Sequence, residues 1–206
     1  MAKNELIEAG KDISINALDT AISDLTDFFK GFPVVSSAIT LLKALASIPD
    51  RLYVKKMYYF LSALKNADMD SDTFSDAMNK LNKDETKFEE TLLFIIENAE
   101  NTEKAHVLGY FTRLLTLGVI DYDKFILFTT AINNIQTVFL KKYSELYLDF
   151  AILKNSNVYN VLSSQGLIVN KNAQMSIGDV PLLFETDLSE EGKLLGQYLK
   201  QYFEEK

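Results

Sequence analysis

The sequence contains no cysteine, and His106 is its single histidine. Disulfides, cysteine-based zinc sites and thiol catalysis are therefore excluded, and so is a metal site built from several imidazoles. The glycine patterns of the nucleophile elbow, the P-loop and the dinucleotide-binding turn are also missing. We therefore predict no catalytic residue, no metal ligand and no cofactor, and we expect that the protein is not an enzyme. An enzyme of an unrecognised type stays an alternative.

Glycine and proline are scarce, with 8 and 3 residues in a chain of 206. Together with apolar residues at repeated spacings of three and four, this scarcity predicts a mainly α fold. We predict a multi-helix bundle over residues 1–153, followed by a small winged-helix-like α+β unit over residues 154–206. The second unit is predicted from the order of its segments, which is helix, glycine turn at Gly166, strand, polar tip, strand and capped helix.

Helix boundaries are predicted from residues that favour helix ends. Gly31 ends a first helix, and Pro33 begins a second one that stops before Pro49. Short side chains that carry an oxygen are favoured at helix N-termini. On this basis the residues predicted to begin helices are Ser47, Ser71, Asp84, Asn101, Asp121 and Ser189. The segment after Asp121 is predicted to be one long helix, or two helices with a break near Asn133 and Asn134.

A heptad stripe with spacings of three and four lies in the first predicted helix. Its members are Ile15, Leu18, Ile22, Leu25 and Phe29. We expect these side chains to pack against neighbouring helices of the same chain. Pairing between chains through the same stripe is the alternative, and it would produce a homo-oligomer.

The segment between residues 32 and 48 is apolar and has one charged residue, Lys43. As a helix it would be about 26 Å long, which is less than the ~30 Å hydrocarbon core of a bilayer. We expect a buried helix of the bundle. Basic and aromatic residues directly after it are also typical of a membrane or partner surface. The predicted contact residues are Lys43, Arg51, Lys55, Lys56 and Tyr59.

The formal net charge is −8, and residues 67–105 alone carry 4 basic and 11 acidic groups, a net charge of −7. Proteins that bind nucleic acid through phosphates show a basic face, so this balance argues against nucleic acid as a partner. The predicted groove-entering helix, NSNVYNVLSSQ, has no arginine or lysine, and the polar tip offers Lys171 alone. We predict a structural or protein-binding winged helix and keep a DNA-binding regulator as the alternative.

Three weaker patterns are interpreted structurally. The acidic run Asp68, Asp70, Asp72 and Asp76 lacks the glycine and glutamate of a calcium loop. His106, Tyr110 and Arg113 share a helix face without a predicted substrate pocket. The segment Glu190–Lys193 begins a helix, whereas nucleases hold such groups on strands.

Three segments carry a resemblance: IPDRLYVKKMYYFLSAL, then KFEETLLFIIENAENTEKAHVLGYFTRLLTLGVIDYDKF, then GLI followed by TDLSEEGKLLGQYL. Over residues 31–203 the chain resembles a family of uncharacterised helical proteins from bacteria and their prophages, found near host-defence or superinfection-exclusion genes. The resemblance implies an intracellular setting linked to mobile elements. The acidic opening MAKNELIEAGKDISI also predicts that the chain is not exported. We expect a cytoplasmic interaction protein that presents a helical surface to a protein partner and is able to dock at the inner membrane face.

Overall fold

The computed structural model describes residue 29 and residues 48–65, 71–84, 88–171 and 186–206. Within these ranges the chain forms nine α-helices and one two-stranded antiparallel sheet. The predicted mainly helical class is thereby confirmed. The contacts divide the chain into two compact units, of which the first ends at Leu117 and the second begins at Gly118.

The first unit has four described helices: α1 (Ile48–Leu64), α2 (Ser71–Asp84), α3 (Phe88–Glu97) and α4 (Thr102–Thr116). Helix α1 packs along α4, and Gly109 marks the closest approach of the two helices. A Cβ atom at Gly109 would lie 2.1 Å from the carbonyl oxygen of Phe60. Because glycine has no Cβ, the backbones of α1 and α4 can approach this closely.

Several aromatic side chains lie in the core of the first unit. Phe60, Phe88 and Phe111 are fully buried. Phe29 is buried as well, and its ring meets the edge of Phe74 with the ring centres 5.0 Å apart. Phe29 is the described member of the predicted heptad stripe, and in this unit it packs against α2.

The second unit has five described helices and both strands. These elements are α5 (Tyr122–Asn134), α6 (Thr137–Leu146), α7 (Phe150–Lys154), α8 (Asn157–Ser164), β1 (Ile168–Asn170), β2 (Thr186–Leu188) and α9 (Glu190–Glu205). The strands pair in register, with Ile168 opposite Leu188. Helix α6 packs against α9. The domain boundary predicted between residues 153 and 154 lies within the second unit, and it stays a prediction.

Several predicted helix ends are confirmed in atomic detail. The side chains of Asn101, Asp121 and Ser189 accept hydrogen bonds from backbone N–H groups three residues later, at 3.0, 2.8 and 3.0 Å. Gly118 and Gly166 adopt φ values of +69° and +70°, which glycine tolerates better than other residues. The break between α5 and α6 follows Asn134 directly, as the two-helix alternative predicted.

Two boundaries differ from the predictions. Asp84 was expected to begin a helix, but it ends α2. The buried residues Phe74 and Met78 give α2 a continuous apolar side, so the helix runs on to Asp84. The segment after Thr137 also breaks again before α7, where the Asp149 carboxylate accepts a hydrogen bond from the Ile152 N–H at 3.3 Å. Asp149 acts there as an N-cap, a role that its position inside an apolar pattern concealed.

Some predicted features lie outside the described residues. They include the heptad members before Phe29, the helix ends at Gly31, Pro33 and Ser47, and most of the polar tip before β2. Among the described helices, none is long and apolar enough to cross a membrane. Residues 32–47 also lie outside the described ranges.

Candidate functional site

The predicted contact residues meet on one side of α1. Lys55, Lys56 and Tyr59 are half-buried, and their spacing of three and four places them on the same side as the exposed Leu52. Arg51 lies in the first turn of α1, and Lys43 lies outside the described residues. The structure therefore brings three of the five predicted residues together.

Lys56 connects this side of α1 to the end of α3. Its ammonium group donates a hydrogen bond to the carbonyl oxygen of Glu97 at 3.1 Å. Helix C-termini carry free carbonyls and partial negative charge, so a lysine is a favourable partner there. Partial burial lowers the pKa of Lys56, and the Glu97 carboxylate opposes that shift.

Tyr53 lies near the same carboxylate. Burial raises the pKa of the Tyr53 phenol, and the negative charge of Glu97 raises it further. Tyr53 and Lys56 are one turn apart on α1 and both face the end of α3. The result is a small polar cluster in which a phenol, an ammonium group and a carboxylate surround the C-terminus of a helix.

Two exposed apolar side chains flank this cluster. Phe94 is 66% exposed and lies one turn before Glu97, and Leu52 is 46% exposed and lies one turn before Lys56. Large aromatic side chains normally bury most of their area in the core. We call this region the α1–α3 surface, and it consists of Leu52, Tyr53, Lys55, Lys56, Tyr59, Phe94 and Glu97.

His106, Tyr110 and Arg113 share one face of α4, as their spacing predicted. The guanidinium carbon of Arg113 lies 4.7 Å from the centre of the Tyr110 ring, which is a cation–π distance. Tyr110 is buried and His106 is half-buried. Within the described ranges no group of three histidines or carboxylates is arranged to hold a metal ion. Asp72 and Asp76 are exposed on α2, while Asp68 and Asp70 lie outside those ranges.

A buried lysine at the start of α4 is an additional titratable group. Lys104 is 2% exposed, and its ammonium group forms an ion pair with Glu100 at 3.2 Å. Burial lowers the pKa of Lys104, and the hydrogen bond from its ammonium group to Glu100 opposes the shift. The pair secures the first turn of α4 to the preceding loop, since Asn101 caps the same turn.

The second unit carries the segment order that predicted a winged helix. Helices α7 and α8 are joined by Asn155 and Ser156, and the two strands and α9 follow. The exposed side chains of α8 are uncharged amides and hydroxyls: Asn157, Asn160, Ser163 and Ser164.

Lys171, the basic residue predicted at the tip, contacts the Asp187 carboxylate in β2. The ammonium group of Lys193 contacts the same oxygen at 3.1 Å. The hydrogen bond from Lys171 is the largest cause of the lowered pKa of Asp187, and the bond from Lys193 adds to it. Lys171 and Lys193 therefore connect β1 and α9 to β2.

Phe94 and Glu97 were not among the predicted contact residues. Phe94 belongs to the apolar run LLFIIE, which by hydropathy resembles core. A signal was nevertheless present, because Glu90 and Glu97 lie four residues before and three residues after it, on the same side of the helix. Both glutamates are exposed, and Phe94 is exposed with them.

Comparison with known proteins assigns the chain to no family and no function. No family model, no curated protein and no solved structure matches it. The resemblance to helical proteins of bacteria and their prophages therefore stays a prediction.

Proposed function

We propose that the chain is a non-enzymatic interaction protein whose first unit presents the α1–α3 surface to a protein partner. The observation that carries this proposal is the exposure of Phe94 beside the cluster of Lys56 and Glu97. The setting that goes with the proposal is the bacterial cytoplasm, in association with mobile elements, as the resemblance implies.

The composition of the surface supports protein contact. Interfaces depend on a few aromatic anchors that become fully desolvated, surrounded by polar groups that exclude water. Phe94 has the exposed area of such an anchor, and Tyr53, Lys56 and Glu97 form a polar border beside it. Lys55 and Tyr59 extend the border along α1.

The test compares three full-length proteins: the native chain, Phe94→Asp, and Val119→Asp as a matched control. Val119 is about as exposed as Leu52 but lies in the second unit. Each protein is purified from its host with bound proteins quantified by mass spectrometry. We expect a specific partner to remain with the native chain and the control, and to fall at least about tenfold with Phe94→Asp. Equal capture by all three proteins would show that the surface is not a docking site.

Liposome flotation tests whether the α1–α3 surface binds a membrane instead of a protein. The native chain is mixed with vesicles of neutral lipid, or with vesicles containing anionic lipid. We expect no retention, because the surface has only two lysines and its α3 side belongs to residues 67–105, whose net charge is −7. Retention on anionic vesicles that Phe94→Asp abolishes would instead assign the surface to the membrane.

We further propose that the second unit is a winged-helix-like module for protein contact. Its support is the segment order together with the uncharged exposed side of α8. A DNA reader gains much of its affinity from lysine and arginine at phosphate positions, so that affinity falls steeply with salt. We expect no binding to duplex DNA at low salt in fluorescence anisotropy. Salt-sensitive binding that is lost on changing Asn157 and Asn160 to alanine would favour the DNA-binding alternative.

A further inference from the structure

Helix α6 has one buried side and one exposed side. Leu140, Tyr143 and Ser144 are buried, and α6 packs against α9. On the opposite side lie four residues spaced three, four and three apart, which we call the α6 stripe: Val138, Lys141, Glu145 and Leu148. At 3.6 residues per turn they fall within an arc of about 80° and extend over about 15 Å. Leu148 continues the stripe directly after Tyr147, whose backbone is still helical.

The two ends of the α6 stripe are apolar and open to solvent. Val138 is 74% exposed and Leu148 is 76% exposed. Single exposed aliphatic residues are ordinary in proteins. Val138 and Leu148 differ from such single residues because both lie on one narrow stripe, each five residues from its centre at position 143.

The middle of the α6 stripe holds two opposite charges. Lys141 and Glu145 are one turn apart, a spacing at which lysine and glutamate often pair within a helix. Across the described part of the chain, however, the Lys141 ammonium and the Glu145 carboxylate form no ion pair. Both charges therefore remain available to a partner.

The order of the four residues is self-complementary. When the stripe is reversed about the level of residue 143, Val138 falls opposite Leu148 and Lys141 falls opposite Glu145. A twofold axis produces this relation, because in an isologous contact each residue meets the counterpart of its own partner. Apolar residues then meet apolar ones at both ends, and each lysine meets a glutamate in the middle.

We propose that a second copy of this chain binds the α6 stripe, with the two α6 helices antiparallel across a twofold axis. Two such helices would lie at a normal helix–helix distance, with two apolar contacts and two ion pairs between them. The contact uses a different surface from the α1–α3 surface, so it does not depend on the proposed function. Because one short helix per copy covers little area, the dimer is weak and reversible.

The experiment is sedimentation equilibrium of the full chain over about 10 to 500 μM. We expect a monomer–dimer equilibrium in the native protein. Lys141→Glu and Glu145→Lys each place like charges opposite each other at both positions, so each should weaken the dimer at least about tenfold. The double variant Lys141→Glu/Glu145→Lys restores opposite charges and should recover the dimer. An equimolar mixture of the two single variants should form a mixed dimer for the same reason.

The matched control is Lys154→Glu, which reverses an exposed lysine outside the α6 stripe and should leave the equilibrium unchanged. Circular dichroism melts of every variant establish that the fold is intact. A chain that stays monomeric over the whole range overturns the proposal. So does a dimer that ignores both single variants, or a double variant that fails to recover.

Discussion

At the scale of single residues, Tyr143 shows how one side chain joins distant parts of the second unit. It is fully buried on α6, and its hydroxyl donates a hydrogen bond to the carbonyl oxygen of Gly192 in α9 at 2.5 Å. Burial raises the pKa of this phenol well above its ordinary value of 10.0. The folded phenol therefore stays protonated at a pH at which the phenol of the unfolded chain ionises.

We expect Tyr143→Phe to lower the free energy of unfolding by about 1 kcal/mol at neutral pH, because one buried hydrogen bond is lost. Above about pH 10 the unfolded native chain binds fewer protons than the folded chain, so stability falls as pH rises. The variant lacks this group and should lose less stability between neutral pH and about pH 10.5.

Urea titrations at the two pH values measure both effects. Tyr159→Phe is the control, since its half-buried hydroxyl contacts Thr186 at 3.5 Å. If the free energy of unfolding fell equally with pH in the native chain and in Tyr143→Phe, the raised pKa of Tyr143 would not contribute to the pH dependence of stability.

At the scale of helices and strands, close backbone approaches decide the packing. Gly109 lets α4 approach the backbone of α1 at Phe60, and Gly196 lets α9 approach Tyr147, whose Cβ would lie 2.4 Å from an added Cβ. Alanine is a better helix former than glycine by about 1 kcal/mol. At these positions the lack of space outweighs that preference, because the atom opposite Gly109 belongs to the backbone and cannot rotate away.

We expect Gly109→Ala to destabilise the protein by about 2 kcal/mol or more, since α1 and α4 must separate to admit the methyl group. The measurement is the midpoint of urea unfolding followed by far-UV circular dichroism. Thr130→Ala on the exposed side of α5 serves as the control, because it introduces the same helix-favouring alanine where the side chain faces solvent. If Gly109→Ala were as stable as the native chain, or more stable, the close approach at Phe60 would not be a constraint.

At the scale of the whole molecule, the chain consists of two compact units that meet in sequence at Leu117 and Gly118. The second unit has its own buried core, which includes Phe125, Phe128 and Tyr143. A unit of the length of residues 118–206 can bury enough apolar surface to fold without disulfides. Gly118, with its positive φ, lies in an exposed turn at the start of the second unit.

We expect a fragment of residues 118–206 to fold by itself. It should show helical circular dichroism and a cooperative urea transition with the same midpoint by circular dichroism and by tyrosine fluorescence. We expect Tyr143→Phe to lower the midpoint of the fragment, as we expect for the full chain, because the same buried hydrogen bond to Gly192 is lost. A gradual, non-cooperative transition would show that the second unit depends on the rest of the chain.

The predictions that the structure confirmed are those that depend on short-range chemistry. The caps at Asn101, Asp121 and Ser189 join side chains to N–H groups three residues away, so the necessary information lies within one helical turn. The prediction that Asp84 begins a helix was wrong. Its capping preference competed with the apolar side of α2, and the helix continues to Asp84.

The sequence by itself determined the mainly helical class and most helix starts, because these depend on residues close in the chain. Tertiary structure decided the rest. Lys56 meets a carbonyl 41 residues away and Tyr143 meets one 49 residues away. Contacts of that range depend on how whole helices pack, and on where glycine permits two backbones to approach, which no local pattern specifies.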